Sequence, residues 1–251
     1  MKRILFMLIV ALQSLLGAEA LAAPCTMSTL STYFGLGSAG CTIGNFKFSN
    51  FVLLLQPTNS VPFSAVSVTP VAVGTTAVGL DFGVNASANA GMLFEDLISY
   101  RVTGIGASLN GASLFLAGSS AIGDGAVTVV ENLCINGLFL GADGVSGCIG
   151  ATRNLIVVVG DGFADPPASL AFPSAASLLS VVTDIAVDGG TFGAASLRGS
   201  ASNRFAVAAV NGVPEPAALL LVIAALLALG GSRAVRFFRV SRLARDSAFR
   251  I

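Results

Sequence analysis

The chain contains no histidine and no tryptophan, and only 10% of its 251 residues are charged. Each scarcity excludes something. Without histidine there is neither the side chain that most often moves protons near neutral pH nor the commonest metal ligand. A Ser-His-Asp triad or a Cys-His pair cannot be assembled from these residues. The only tyrosines are Tyr33 and Tyr100, so aromatic platforms with a polar handle are few. Between residues 23 and 212, Lys47, Arg101, Arg153, Arg198 and Arg204 stand against ten acids, a net charge of −5. The whole-chain balance of zero conceals this, because the C-terminal tail holds six arginines. An acidic body without a basic patch excludes nucleic acid as an expected partner.

What the chain does have is concentrated at its ends. Lys2 and Arg3 precede an apolar run from Ile4 to Leu16, and small residues follow from Gly17 to Ala23. This is the tripartite form of a secretory signal peptide, expected to be helical before removal. Two sites satisfy the small-x-small rule, after Ala20 and after Ala22, and the second is preferred. Cleavage after Ala23 is disfavoured because Pro24 would follow the scissile bond. At the other end, Val213-Pro214-Glu215-Pro216 leads directly into an uncharged run from Ala217 to Gly231. At ~1.5 Å per residue that run spans roughly 22 Å as a helix, short for a bilayer core of ~30 Å. Its eight large aliphatic residues supply an insertion energy on the order of 2–5 kcal/mol. The tail from Ser232 to Ile251 then places Arg233, Arg236 and Arg239, followed by Arg242, Arg245 and Arg250. Each arginine would cost ~2.5–3.5 kcal/mol at mid-bilayer, so the block acts as a cytoplasmic stop. A buried core helix would not need one.

Signal removal leaves four cysteines, Cys25, Cys41, Cys134 and Cys148, in two local pairs sixteen and fourteen residues apart. Export implies an oxidising compartment and therefore disulfides. Of three possible connectivities the local one, Cys25–Cys41 and Cys134–Cys148, is expected, because both pairs flank glycine-rich loops able to close. A zinc site is disfavoured by the absence of C-x2-C spacing.

The body, residues 23–212, reads as one all-β domain. Ile98, Tyr100 and Val102 alternate with Ser99, Arg101 and Thr103, as in a half-buried strand. Val181, Ile185 and Val187 face one way, with Asp184 and Asp188 on the other side. Phe46–Leu55, Val61–Val73 and Ala126–Glu131 are further candidate strands, punctuated early on by Pro57, Pro62 and Pro70. The continuous apolar run Leu155–Val159 predicts a strand buried on both faces. Asn110-Gly111 and Asp188-Gly189-Gly190 predict hairpin-type turns, and Thr26–Tyr33 a short helix or turn. No convincing amphipathic helix interrupts the series, which points to an antiparallel β-sandwich or jelly roll.

The C-terminal sequence of Pro214-Glu215-Pro216, apolar run and arginine block closely resembles the PEP-CTERM sorting domain of exported Gram-negative bacterial proteins. That resemblance implies a sorting segment over 213–251, with motif 213–216, transmembrane helix 217–231 and arginine-rich tail 232–251. It also implies a partner, an exosortase-type membrane enzyme that recognises the motif and processes the anchor. The twenty-residue tail is longer than the short basic cluster usual in that family. The body carries a less formal likeness to an ectodomain found with such tails, in Cys25, Thr29–Tyr33, Gly37–Gly44 and Phe48–Phe51. The expected localisation is export, with an inner-membrane-anchored precursor and then a cell-surface or extracellular form.

Chemistry-bearing patterns within the body are weak. Glu95 and Asp96 would point to opposite faces of a strand, a poor acid/base pair, and both are expected on the solvated surface. Asp161 and Asp165, with Asp143 or Asp124, lack a calcium-loop pattern and read as exposed loop aspartates. No catalytic residue, metal or cofactor is expected. The function expected is that of a non-enzymatic envelope or extracellular-matrix protein, with extracellular polysaccharide as a possible partner class. The alternative is a carbohydrate-binding module or adhesin on the cell surface.

Overall fold

A computed structural model of the protein describes residues 22–55, 61–62, 64–141 and 143–208. The chain divides into two units, Met1–Ala209 and Val210–Ile251. The expected signal peptide (1–22, apart from Ala22) and the whole sorting segment lie outside the described residues.

The body is all-β and mostly antiparallel, as expected, and sandwich-like. Its first sheet contains β1 (Ser28–Thr29), β4 (Ser67–Val73), β5 (Ala77–Gly83), β6 (Ala86–Asn89), β8 (Leu109–Ile122), β12 (Ala168–Ala176) and β14 (Ala194–Val207). The order is β1-β4-β5-β14-β8-β12, with β6 also on β14. The second contains β2 (Cys41–Ile43), β3 (Phe46–Leu55), β7 (Leu93–Gly104), β9 (Ala126–Ile135), β10 (Ala151–Gly160), β11 (Phe163–Ala164) and β13 (Leu178–Asp188), in the order β11-β10-β9-β13-β7-β3-β2. One short helix, α1 (Leu30–Gly35), starts where the Thr29 hydroxyl accepts the Thr32 N–H.

Alternation decides what faces the core. On β13 Leu179, Val181, Thr183, Ile185 and Val187 are buried and point inward, as do Ile98, Tyr100 and Val102 on β7. In β3 simple alternation would put Phe48 and Phe51 on opposite faces, yet both are buried. The register shifts between Ser49 and Val52, and Asn50 between them adopts φ 53°. This bulge turns Phe51 back inward. Tyr100 then stacks on Phe51 at 5.3 Å and on Phe48 at 6.3 Å, and meets Phe82 of the facing sheet at 6.0 Å. Tyr33 of α1 meets Phe51 edge-on at 5.1 Å. Such pairs contribute about 0.5–1.5 kcal/mol each beyond the area they bury.

Both expected disulfides are present, Cys25–Cys41 and Cys134–Cys148. The first holds the N-terminal segment against β2, where Gly40 at φ +63° lets the chain pass Phe48; a Cβ there would lie 2.2 Å from the Phe48 carbonyl oxygen. The second ties the β9–β10 connection to the outer face of the second sheet. Cys134 alternates with the inward-facing Leu133 and Ile135, and Gly144 of the connection packs against Leu54 of β3. Outer-face residues Val182 and Ser180 are consequently buried, at 0% and 5% exposure.

Two turn expectations fail. Asn110-Gly111 lies inside β8, paired with both β12 and β14, so no hairpin forms there. Asp188-Gly189-Gly190 is a turn, with the Asp188 carboxylate accepting the Gly190 N–H at 2.8 Å, but it carries the chain from one sheet to the other. The Leu155–Val159 run is a strand with a single buried face. Leu155 and Val157 face the other sheet and are buried, while Ile156 points to the outer face of the second sheet and is exposed.

Candidate functional site

The residues singled out for sorting, Pro214, Glu215, Pro216, Arg233, Arg236 and Arg239, lie outside the described residues. Among the described ones, polar chemistry collects between the sheets rather than on the surface.

β9 delivers Glu131 to the interior. Its inward row is Val127, Val129, Glu131, Leu133 and Ile135, so alternation on an otherwise apolar face forces one carboxyl into the core. Glu131 has 0% exposure, and neither carboxyl oxygen has a hydrogen-bond partner. Burial pushes its pKa well above the usual carboxylate range. Directly beside it in register on β13 is Thr183, whose hydroxyl also points inward. From the opposite sheet β14 brings Asn203, itself at 0% exposure. The Asn203 Nδ2 donates to Thr183 Oγ1 at 2.6 Å and to Tyr100 Oη at 2.9 Å. Asn203 Oδ1 is buried without a partner. Burial also holds the Tyr100 phenol well above its ordinary pKa, and the neighbouring Glu131 adds to the rise. Four polar side chains from β7, β9, β13 and β14 therefore meet in a buried, aromatic-lined interior.

The expected solvated pair Glu95/Asp96 is half corrected. The two do point to opposite faces, but Asp96 follows the inward row of Ile98 and Tyr100 and is only 3% exposed. Burial, then the nearby Asp184 charge, raises Asp96 to about 6. Asp184 rises to about 6 through burial and then the charge of Glu95. The loop aspartates are structural. Asp161 accepts the Gly123 N–H at 3.1 Å and Asp165 the Val158 N–H at 3.0 Å, and both are exposed. Asp143 accepts the N–H groups of Val145 and Ser146. Desolvation pushes Asp124 up, but N–H bonds from Phe192 and Thr191 among others outweigh it and leave the pKa lowered. Among the described residues no cluster of three or more Asp, Glu, Cys or His side chains is placed to hold a metal.

On the outer face of the first sheet, Ser87, Ser196 and Ser120 stand side by side on β6, β14 and β8. Ser120 and Ser196 share a hydrogen bond of 2.9 Å. With Asn89, Ile122 and Ala194 they line a shallow groove of about 200 Å³. Phe192, two residues before Ala194, is 76% exposed.

The interior cluster had only faint signals in sequence. Glu131 breaks an alternating apolar face, and Asn203 sits between Ala201 and Phe205 in a strand. Neither departure is specific without knowledge of what faces it. Comparison with protein-family models and with curated proteins finds no match to this chain.

Proposed function

We propose that this chain is an exported, non-enzymatic protein of the cell envelope or extracellular matrix, with a jelly-roll-like ectodomain sorted through a PEP-CTERM segment. The observation that carries this reading is the order of the C-terminus: Pro214-Glu215-Pro216, then an uncharged run to Gly231, then arginines from Arg233. Pro214 and Pro216 interrupt helix at the outer end of the run, and the arginines hold its inner end in the cytoplasm. An exosortase-type enzyme meets the motif where the chain leaves the bilayer. The two disulfides support export, since such bridges persist in oxidising compartments.

The test is fractionation and intact-mass analysis of wild type and the Pro214→Ala/Pro216→Ala variant in a host that makes an exosortase. Wild type should be processed, while the variant inserts but accumulates at full length in the inner membrane. If both stay full-length in the same membrane fraction, 217–231 is a permanent anchor and the sorting reading fails.

A second reading, a carbohydrate-binding module or adhesin, is favoured by one observation. The groove of Ser87, Ser120, Ser196 and Asn89 offers hydroxyls and an amide close in sequence to the exposed Phe192 ring. A glycan-array screen of the purified body tests the second reading, and no binding to any glycan would refute it.

A further inference from the structure

We propose that the body binds further copies of itself head to tail, the acidic, phenylalanine-bearing tip of one copy docking on the basic opposite end of the next. The tip is built by four connections at one end of the sandwich: 90–92 after β6, 123–125 after β8, 161–162 after β10 and 189–193 after β13. Strand register brings them together. Asp188 pairs with both Leu93 and Ala126, and Ala194 with both Asn89 and Ile122. Hydrogen bonds then lace the connections to one another. The Gly91 N–H donates to the Gly190 carbonyl at 2.6 Å, and the Gly189 N–H to the Met92 carbonyl at 2.9 Å. The Asp161 carboxylate accepts the Gly123 N–H, and Asp124 accepts those of Thr191 and Phe192. Phe192 therefore projects from a fixed backbone, and Ile122 and Phe163 at the same end are exposed as well, at 63% and 55%. Three large apolar side chains held out from one rigid frame mark a contact surface.

Charge says what covers it. Besides the buried Asp96, the half of the body next to the tip carries Asp124, Asp161, Asp165 and Asp188 on or beside the connections, with Glu95 and Asp184 on the adjoining strands. Arg198 is the cation in that half. The opposite half holds Lys47, Arg101, Arg153 and Arg204. Its acids are Asp81, which is paired with Arg204, and Asp143 in the β9–β10 connection. Among the described residues Lys47 and Arg101 have no carboxylate partner. Both alternate with buried neighbours and so lie on the outer face of the second sheet, where Lys47 pairs with Thr103 and Arg101 with Ser49. The exposed Ile105, two residues beyond Thr103, adds an apolar group beside them, its N–H bonded to the Asn45 carbonyl. Two tips repel each other, whereas a tip on this basic end matches charge with charge and apolar surface with apolar surface. Such a contact is heterologous, and its repetition gives a ring or an open filament. The chain's own course leaves the tip clear, because β14 starts there at Ala194 and runs to Val207 at the other end. The proposal rests on the body alone and stands whether or not the C-terminus is a sorting signal.

The experiment is carbodiimide coupling, which joins an amine to a carboxylate with no spacer, on the whole chain recovered from its host in mild detergent. Lys47 is the lysine of the body. Its register partner Thr103 pairs with Leu178, and the tip residue Asp188 lies at the far end of the same strand. At ~3.3 Å per residue that separation is about 30 Å, so Lys47 reaches a tip carboxylate only on another copy. Trypsin releases 154–198, whose acids Asp161, Asp165, Asp184 and Asp188 all belong to the tip half. The expected product is Lys47 linked to 154–198, with mixed pairs from a blend of isotope-labelled and unlabelled chains. The link should fade at ~0.5 M salt, where screening acts within roughly 4 Å. Phe192→Ser changes an exposed side chain and should weaken self-association about tenfold in sedimentation velocity, as loss of an aromatic anchor does. Wild type that gives no such link and sediments as a monomer at every concentration would overturn the proposal. So would self-association that high salt and Phe192→Ser leave unchanged, or a monomer whose tip instead takes a glycan, seen as array binding lost in Phe192→Ser.

Discussion

Replacing Glu131 by glutamine should flatten the pH dependence of stability above about pH 6.5. The folded protein holds Glu131 neutral in an interior with no exposure. In the unfolded chain its pKa returns to about 4.5. Above that value the unfolded state has released a proton that the folded state keeps. Stability therefore falls as pH rises, by about 1.4 kcal/mol per unit, until pH crosses the raised folded pKa. Asp96 and Asp184 behave alike, but their folded values of about 6 confine most of their effect to lower pH. The lack of histidine keeps the next interval clean. Wherever the folded state still holds that proton, the loss specific to Glu131 is about 1.4 kcal/mol per pH unit. The α-amino group also titrates there but is common to both proteins. Urea denaturation at four pH values in that interval, on wild type and Glu131→Gln, reads the slope directly. Equal slopes in the two proteins would refute the buried neutral carboxyl.

Other expectations follow from the same geometry. Cys134→Ser/Cys148→Ser should cost about 3 kcal/mol by loop entropy, read as a Tm roughly 6–12 °C lower, with faster hydrogen exchange around Val182 as its cover loosens. Phe205→Ala removes a fully buried ring that packs on Phe48 at 6.4 Å, and should cost about 3–5 kcal/mol in urea denaturation. Asp96→Asn should reduce the loss of stability between about pH 4 and pH 6, because the variant has no carboxyl whose proton the fold must retain.

Much of the body was legible because strand alternation is a local property. The inward rows of β7 and β13 follow from Ile98, Tyr100, Val102, Val181, Ile185 and Val187. The local cysteine pairing follows from separations short enough for one loop. What was not legible depends on neighbours distant in sequence. Leu155–Val159 is as apolar as a doubly covered strand, but the outer face of the sheet at Ile156 is open, and no local pattern tells a sequence which faces are covered. Asn110-Gly111 has turn chemistry, yet β12 and β14 pair on either side of β8 and keep it extended. Asp96 resembles a surface acid until Tyr100, four residues along the same strand, fixes its face. The Glu131–Thr183–Asn203–Tyr100 cluster draws on four strands and two sheets, and no spacing within one segment announces it.

The central claim is that the C-terminus is a sorting signal removed in the course of export. The most direct test is to map the C-terminal peptide of the chain recovered from the cell surface or medium. The account predicts a chain that retains the body, including the peptide 154–198, and ends at or near Pro214-Glu215-Pro216, with no peptide from the arginine tail. A surface or extracellular form that still carries Ala234–Arg236 and the residues after it would contradict the account.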